Sequence, residues 1–334
     1  MVRVWFNHWF STSYGLIELL KKNESEEVCV IGSNRQINSV IQKVCDEWYE
    51  EPVLAADEYI DYCVEFCIQH KIDVFIPRKY MVEISKNKDR FDEIGVKVLV
   101  DDYDKIVILN NKVEAYKLFE EIESVNIPDY EVVKSVEEFE DAYKRIKSKH
   151  EQICVKFVND EGAMSYRRIV DSIDSYKKLR MYSEAQVEYA DYVKALKNMK
   201  SIDELMIMPY LSGTEVSVDC MKTEEGIIAI PRYKSASRHE EVLYDKDILE
   251  MTYKILEVIG LEYPCNVQYR FENNIPYLLE VNTRMSGGLQ MSCLAADVNI
   301  PNIALNKLLG NSVSWNVNKR ECTVSYIEMP QIIK

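Results

Sequence analysis

Two hydrophobic periods alternate through the first 110 residues, and that alternation limits the fold more than any other feature. VRVWF (2–6), EVCVIGS (27–33), DVFIP (73–77) and VKVLV (96–100) are short apolar runs with the character of buried strands. TSYGLIELLKK, INSVIQKVCDEW and EYIDYCVEFCIQH lie between them and carry apolar residues at helical spacing. Strands alternating with helices build a parallel sheet covered on both faces, which predicts an α/β class. No GxGxxG follows the first strand, so no dinucleotide site is indicated. Functional loops in such sheets sit at the carboxyl ends of strands, here Asn7 to Ser13 and Gly32 to Arg35. Ser11, Thr12 and Ser13 open a helix; N-capping is the plainer reading and an anion site the sharper one.

A second region begins near Asn110. NKVEAYKLFEEIES reads as an amphipathic helix, and SVEEFEDAYKRIKS as another, with Ser135 as cap and Glu138 completing a capping box. QICVKFV (152–158) is a strand with one charge, Lys156; NDEGAMSYRR reads as a turn or flap, RRIVD as a returning strand, and residues 184 to 200 as helical. From ELMIMPYL onward, EVSVDCM, IIAIPRY, NVQYRF and PYLLEVN suggest an antiparallel or mixed sheet. DKDILEMTYKILEVIG is a helix capped by Gly260, and residues 290 to 309 read as one last long helix.

Composition narrows the partners. The 334 residues are 47% hydrophobic and 29% charged, a globular balance sufficient for two to three domains. The net charge of −15 would repel nucleic acid, though an anionic small molecule could bind cations gathered in a cleft or a chelated metal. No apolar run suits a bilayer span or a signal peptide, so neither membrane association nor export is expected. The nine cysteines form no CxxC pair and read as reduced core residues of a cytoplasmic protein; Cys63 and Cys67 read as packing on one helix face.

Chemistry gathers in three places. Lys156 stands in an apolar strand just before a glycine-containing turn, where it either snorkels at a sheet edge or contacts phosphate. MPYLSGTE (208–215) is either a plain hairpin or a hinge meeting an adenine edge, with Pro209 supplying a carbonyl and Leu211 an N–H. LLEVNTRMSGG places Glu280, Asn282 and Arg284 two apart, so a strand reaching that far would carry them in one row. Gln268 lies on the preceding strand, across the turn ENNIP, and could sit opposite Glu280. One carboxylate with two amide oxygens suits Mg²⁺ rather than zinc.

These stretches resemble the ATP-grasp superfamily, and within it the carbamoyl-phosphate-synthetase-like branch. The likeness is carried by residues 266 to 310: an Asn-Val-Gln strand, a hairpin, Glu-x-Asn-x-Arg, then a small-residue turn into a helix. ICVKF, MPYLSGTE and NNKVEAYKLF match further family segments, and NHWFSTSYG with CDEWYEEP is similar to the group associated with tellurite-resistance operons. The resemblance implies a Rossmann-like pre-ATP-grasp domain (1–110), a small lid subdomain (111–208) and a large subdomain with the metal site (209–334). It implies ATP and two Mg²⁺ ions, with Mn²⁺ able to substitute. Glu280 would bridge the ions while Gln268 and Asn282 each hold one. Arg284 would face the transferring phosphoryl group and, with Lys156, serve catalysis. Lys112 and Lys156 would grip phosphates, and Pro209, Tyr210 and Leu211 would form the adenine hinge. Glu215 would bind the ribose, and His239, in the RYKSASRHEEV loop, would lie near the γ-phosphate.

Two departures from the family pattern stand out. The flap contains a single glycine, Gly162, beside the repelling Asp160 and Glu161, for which Arg167 and Arg168 could compensate. Met208 occupies a hinge position where an acid is common. The implied activity is an ATP-dependent ligase that joins a small-molecule carboxylate to an amine or similar nucleophile through an acyl phosphate. A small-molecule kinase and a non-catalytic ATP sensor are the alternatives, and a homo-oligomer is compatible with any of them.

Overall fold

The computed structural model describes residues 1–7, 11–159, 165–180, 185–235 and 237–333. The chain divides into two compact units. One comprises residues 1–109, 215–268 and 280–334; the other comprises 110–214 and 269–279.

The first unit begins with β1 (Val2–Asn7), α1 (Ser13–Lys21), β2 (Val28–Asn34), β3 (Glu47–Glu50), α2 (Ala56–Gln69), β4 (Val74–Ile76), α3 (Met81–Lys86), α4 (Lys88–Asp92), β5 (Lys97–Val98) and α5 (Tyr103–Asn110). The strands pair in parallel in the order β3-β2-β1-β4-β5, so the order reverses at β1. That is a doubly wound sheet. Leu16, Ile17 and Leu20 of α1 pack with Val4, Phe6 and Val30 on one face. Tyr59, Cys63, Phe66 and Cys67 of α2 pack with Trp5, Ile31 and Phe75 on the other, as the reading of those cysteines required.

Two local expectations fail. INSVIQKVCDEW forms no α-helix, but a 3₁₀ turn (Val40–Lys43) followed by β3. Its C-terminal half is claimed by the sheet edge: Asp46 accepts from the Val30 N–H through Oδ2 at 2.7 Å and donates its own N–H to the Val30 carbonyl at 2.8 Å. At the head of α1, Thr12 occupies the N-cap but makes no side-chain capping bond.

The second unit contains α6 (Lys112–Glu120), β6 (Glu131–Val133), α7 (Val136–Lys147), β7 (Ile153–Phe157), β8 (Arg167–Val170), α8 (Ser175–Arg180), β9 (Gln186–Glu188), α9 (Tyr189–Lys197) and β10 (Leu205–Pro209). Its sheet runs β6-β10-β7-β8-β9, antiparallel except between β8 and β9. Ser135 caps α7 by accepting from the Glu138 N–H at 3.1 Å; Glu138 reaches back to the N–H of Lys134 rather than to that of Ser135. The helix expected over 184–200 is a strand, β9, followed by the shorter α9. The flap residues Asp160, Glu161 and Gly162 lie outside the described residues.

The chain then forms β11 (Glu215–Thr223), β12 (Gly226–Lys234), β13 (His239–Val242), α10 (Lys246–Ile259), β14 (Cys265–Glu272), β15 (Ile275–Asn282), α11 (Leu289–Ala296), α12 (Ile300–Leu309) and β16 (Cys322–Ser325). The sheet order is β15-β14-β11-β12-β13-β16. Asn273 and Asn274 turn the β14–β15 hairpin with φ of 51° and 64°, a conformation asparagine tolerates. The single helix expected over 290–309 is two. Asp297 takes φ of 52°, the Asn299 side chain accepts from the Asn302 N–H at 3.1 Å, and Pro301 is the second residue of α12. Proline suits a first turn but cannot continue a preceding helix.

Candidate active site

In the first unit the side chains expected to hold metal sit on adjacent strands. Glu280 and Asn282 project from β15 two residues apart, and Asn282 Nδ2 donates to Glu280 Oε1 at 2.9 Å. Gln268 and Asn266 repeat that spacing on β14, with Gln268 Nε2 donating to Asn266 Oδ1 at 3.2 Å. Both Glu280 and Gln268 are partly buried. Glu280 forms no ion pair with a cationic side chain among the described residues, although its strand is flanked by the buried Leu278 and Val281. A partly buried carboxylate with only a neutral donor is the donor chemistry a hard divalent cation completes, so these residues fit Mg²⁺. Among the described residues no cluster of three His, Cys, Asp or Glu side chains offers an alternative metal centre.

The row does not extend to Arg284. β15 ends at Asn282, and Thr283 and Arg284 form a bend leading into the turn before α11. A buried network missed by sequence reasoning holds that turn. Arg232 on β12 is 2% exposed. It donates to Asp219 Oδ2 at 3.0 Å, to Ser292 Oγ at 2.8 Å and to Ser286 Oγ at 3.2 Å, and it pairs with Glu240. Asn266 ties in by donating to Asp219 Oδ1 at 2.8 Å. Gly288 is required beside it, because a Cβ there would collide with the guanidinium. Burial alone would lower the Arg232 pKa, but the facing Asp219 and Glu240 raise it, so the cation persists. The signal available in the sequence was an arginine inside the otherwise apolar run IIAIPRY.

Glu215 at the start of β11 pairs with Lys234. His239 does not lie in a loop but begins β13, exposed, with Nδ1 2.5 Å from Ser237 Oγ.

In the second unit Lys112 is the first residue of α6, whose cap Asn111 accepts from the Val113 and Glu114 N–H groups. Its Nζ donates to the Val158 carbonyl at 3.3 Å. Lys156 on β7 places Nζ 5.6 Å from the Tyr116 ring centre, and the Tyr116 hydroxyl donates to the Leu279 carbonyl at 2.9 Å. Pro209 ends β10, and its carbonyl accepts from the Cys154 thiol at 3.5 Å. Burial pushes that thiol up to about 12, so it stays protonated and able to donate. The Leu211 N–H makes no hydrogen bond among the described residues. Tyr210 is flanked by two guanidinium groups, with Arg168 4.5 Å and Arg270 5.2 Å from its ring centre. Arg168 thus engages Tyr210, an arrangement that depends on β8 pairing with β7. Gly213 is needed where the chain meets β14: its N–H donates to the Phe271 carbonyl at 2.9 Å, and a Cβ would collide with that oxygen.

These features are those of an ATP-grasp fold. The Staphylococcus aureus N5-carboxyaminoimidazole synthetase complexed with ADP superposes with a TM-score of 0.71 at 12% identity, covering 98% of this chain and 82% of that one. The biotin carboxylase domain of Hydrogenobacter thermophilus 2-oxoglutarate carboxylase, in complex with MgADP, ADP and bicarbonate, gives 0.69 at 16% identity, covering 95% and 71%. In sequence, the arginine-specific carbamoyl phosphate synthase large chain of Geobacillus stearothermophilus is 24% identical over 319 residues. That match covers 91% of this chain but 28% of the relative's length. Residues 201–330 match the family described as ATP-grasp in the biosynthetic pathway with Ter operon. The fold is thus of the ATP-grasp type, and in sequence the chain is similar to carbamoyl phosphate synthase large chains and, over residues 201–330, to the Ter-associated ATP-grasp family. No helix among the described residues is long and apolar enough to cross a membrane.

Proposed function

We propose that the protein is an ADP-forming, ATP-dependent ligase that joins a small-molecule carboxylate to an amine or similar nucleophile. The observation that carries this reading is Glu280: a partly buried carboxylate in an apolar strand, bonded to the neutral Asn282 amide and to no cationic side chain among the described residues. Glu280 would bridge two Mg²⁺ ions, Asn282 and Gln268 would each hold one, and Mn²⁺ could replace them. Bound there, the metal would neutralise phosphate charge.

The remaining work is positioning and electrostatics. The Pro209 carbonyl and Leu211 N–H would meet the adenine edge beside Tyr210, and Glu215 would share its oxygens between Lys234 and the ribose. Lys112 and Lys156 would hold phosphate oxygens. A substrate carboxylate oxygen attacks the γ-phosphorus, its bond to the β-phosphate oxygen breaks, and ADP leaves. Arg284 and His239 would face the transferring phosphoryl group. An amine then attacks the acyl carbon, the C–O bond breaks, phosphate leaves, and the amine gives up a proton. We place these tasks on a small subdomain at 111–208 and a large one at 209–334, with 1–110 before them, and homo-oligomers are compatible with the scheme.

Incubation with ATP, Mg²⁺ and pooled carboxylates and amines tests the reading. ADP together with a condensed product is the expected result. A phosphorylated acceptor would make the protein a kinase, and binding without turnover would make it a sensor.

A further inference from the structure

Gln268 can turn either end of its amide toward a cation, but only the oxygen can bind one. The NH₂ group carries donors alone and repels a metal ion. A chain of buried polar groups decides between the two ends, and it runs from Gln268 back to Asp219 on the neighbouring strand β11.

Asn266 is the middle link. It is 0% exposed and lies two residues from Gln268 on β14, so the two share a face. Its Nδ2 lies 2.8 Å from Asp219 Oδ1 and 3.2 Å from the Val218 carbonyl. Both partners are acceptors, so this end of Asn266 is the donor and Oδ1 faces the other way. The Ser217 hydroxyl can serve either end. Asn266 Oδ1 then meets Gln268, whose Nε2 donates to it at 3.2 Å. That bond holds the Gln268 NH₂ inward and turns Oε1 outward. Gln268 Oε1 accepts no hydrogen bond among the described residues, so its lone pairs stay available to a cation.

Asp219 is fixed from behind. It is 0% exposed, and its second oxygen, Oδ2, accepts from Arg232 Nε at 3.0 Å and from Ser292 Oγ at 2.6 Å. Donors on one side and the Asn266 NH₂ on the other require an acceptor at both ends, which a carboxylate has and an amide of the same shape lacks.

We propose that Asp219 is a positioning residue for the metal: through Asn266 it fixes the Gln268 amide with its oxygen, not its NH₂, toward the cation. Neither Asp219 nor Asn266 touches the ion. The inference rests on the reading of Gln268 as a metal ligand, and it gives the Arg232 network a task beyond holding the turn before α11.

Asp219→Asn makes the test. Its oxygen stays with Arg232 and Ser292, so its NH₂ meets the NH₂ of Asn266. Relief of that clash turns over the Asn266 amide and then the Gln268 amide, and an NH₂ faces the metal. Mn²⁺ binding to the full chain with saturating ADP, followed by EPR of the free ion, should weaken by about 10–100-fold, the usual scale for losing a group that orients a metal ligand. Gln268→Glu supplies the comparison, because a carboxylate presents an oxygen either way round. In that background Asp219→Asn should change Mn²⁺ affinity by less than about twofold, whereas a purely structural effect would be the same in both. A second readout uses the unaltered protein. The Gln268 side-chain NH₂, identified in NMR spectra by its loss in Gln268→Glu, should exchange with solvent more slowly than an exposed amide, with and without Mg²⁺. Where Asp219→Asn does not fold, that readout decides alone. Equal loss of Mn²⁺ in both backgrounds, no loss in either, or a Gln268 NH₂ that exchanges like an exposed amide overturns the proposal. A wild type that binds no Mn²⁺ sinks the metal reading of Gln268 and this inference with it; wild-type binding that Asp219→Asn leaves unchanged sinks this inference alone.

Discussion

Asn282 Nδ2 donates to Glu280 Oε1 at 2.9 Å, and the two residues lie two apart on one strand. Alternate side chains share a face, so the amide can both orient the carboxylate and turn its own oxygen outward. Glu280→Gln keeps that shape and removes the charge. Turnover should fall by about two or more orders of magnitude, the scale of removing a major electrostatic interaction. Activity measured across a Mg²⁺ titration checks it; wild-type rates at limiting Mg²⁺ would remove Glu280 from the site.

Lys156→Ala should weaken ATP much more than adenosine, because the ammonium group it removes would face phosphate, which adenosine lacks. Calorimetric affinities for both ligands decide the matter. Equal weakening of the two would assign Lys156 to folding, through its place over the Tyr116 ring.

If the proposed hinge at Pro209 to Leu211 meets the base, the protein should prefer ATP to GTP. Proline has no N–H, so Pro209 can only accept, and the amine of adenine can donate to it. The guanine O6 would face that carbonyl acceptor to acceptor, a mismatch of about 1–3 kcal/mol. Competition between the two nucleotides measures it, and equal use of GTP would show that the base lies elsewhere.

Arg232→Met should destabilise the fold. It leaves Asp219 and Glu240 without their common cation, and breaking a buried pair from one side costs about 3–5 kcal/mol. Urea midpoints provide the measurement; a destabilisation below about 1 kcal/mol would mean that water replaces the guanidinium.

Glu262 supplies an acid-dependent contribution. Burial alone would raise its carboxyl, but hydrogen bonds from Lys307 and Lys222 outweigh burial and hold it below the usual glutamate range. A depressed acid stabilises the fold above its unfolded pKa of about 4.3 and loses that contribution as pH falls through its folded value. The difference between the denaturant midpoints of wild type and Glu262→Gln should therefore be full at pH 7 and shrink as pH falls below the unfolded value of about 4.3. A gap that stays constant from pH 7 down through the acid range, with no narrowing below about 4.3, would tie the effect to shape rather than charge.

What the sequence determined by itself was local and periodic. Continuous apolar runs located β1, β2 and β4, helical spacing located α1, α2 and α10, and the doublet Asn273–Asn274 located a turn, because each depends on residues within a few positions of one another. The polar pair on β15 was legible for the same reason. What only the tertiary structure decided depended on partners distant in the chain. Residues 47–50 became a strand because the edge of β2 offered paired hydrogen bonds. Arg232 became the centre of a buried network because β11, β13 and α11 bring Asp219, Glu240 and Ser292 to it. Arg168 met Tyr210 because β8 pairs with β7. An isolated charge in an apolar run signals that a partner exists, but only the packed chain supplies its identity, since burial makes the pairing obligatory without encoding it locally.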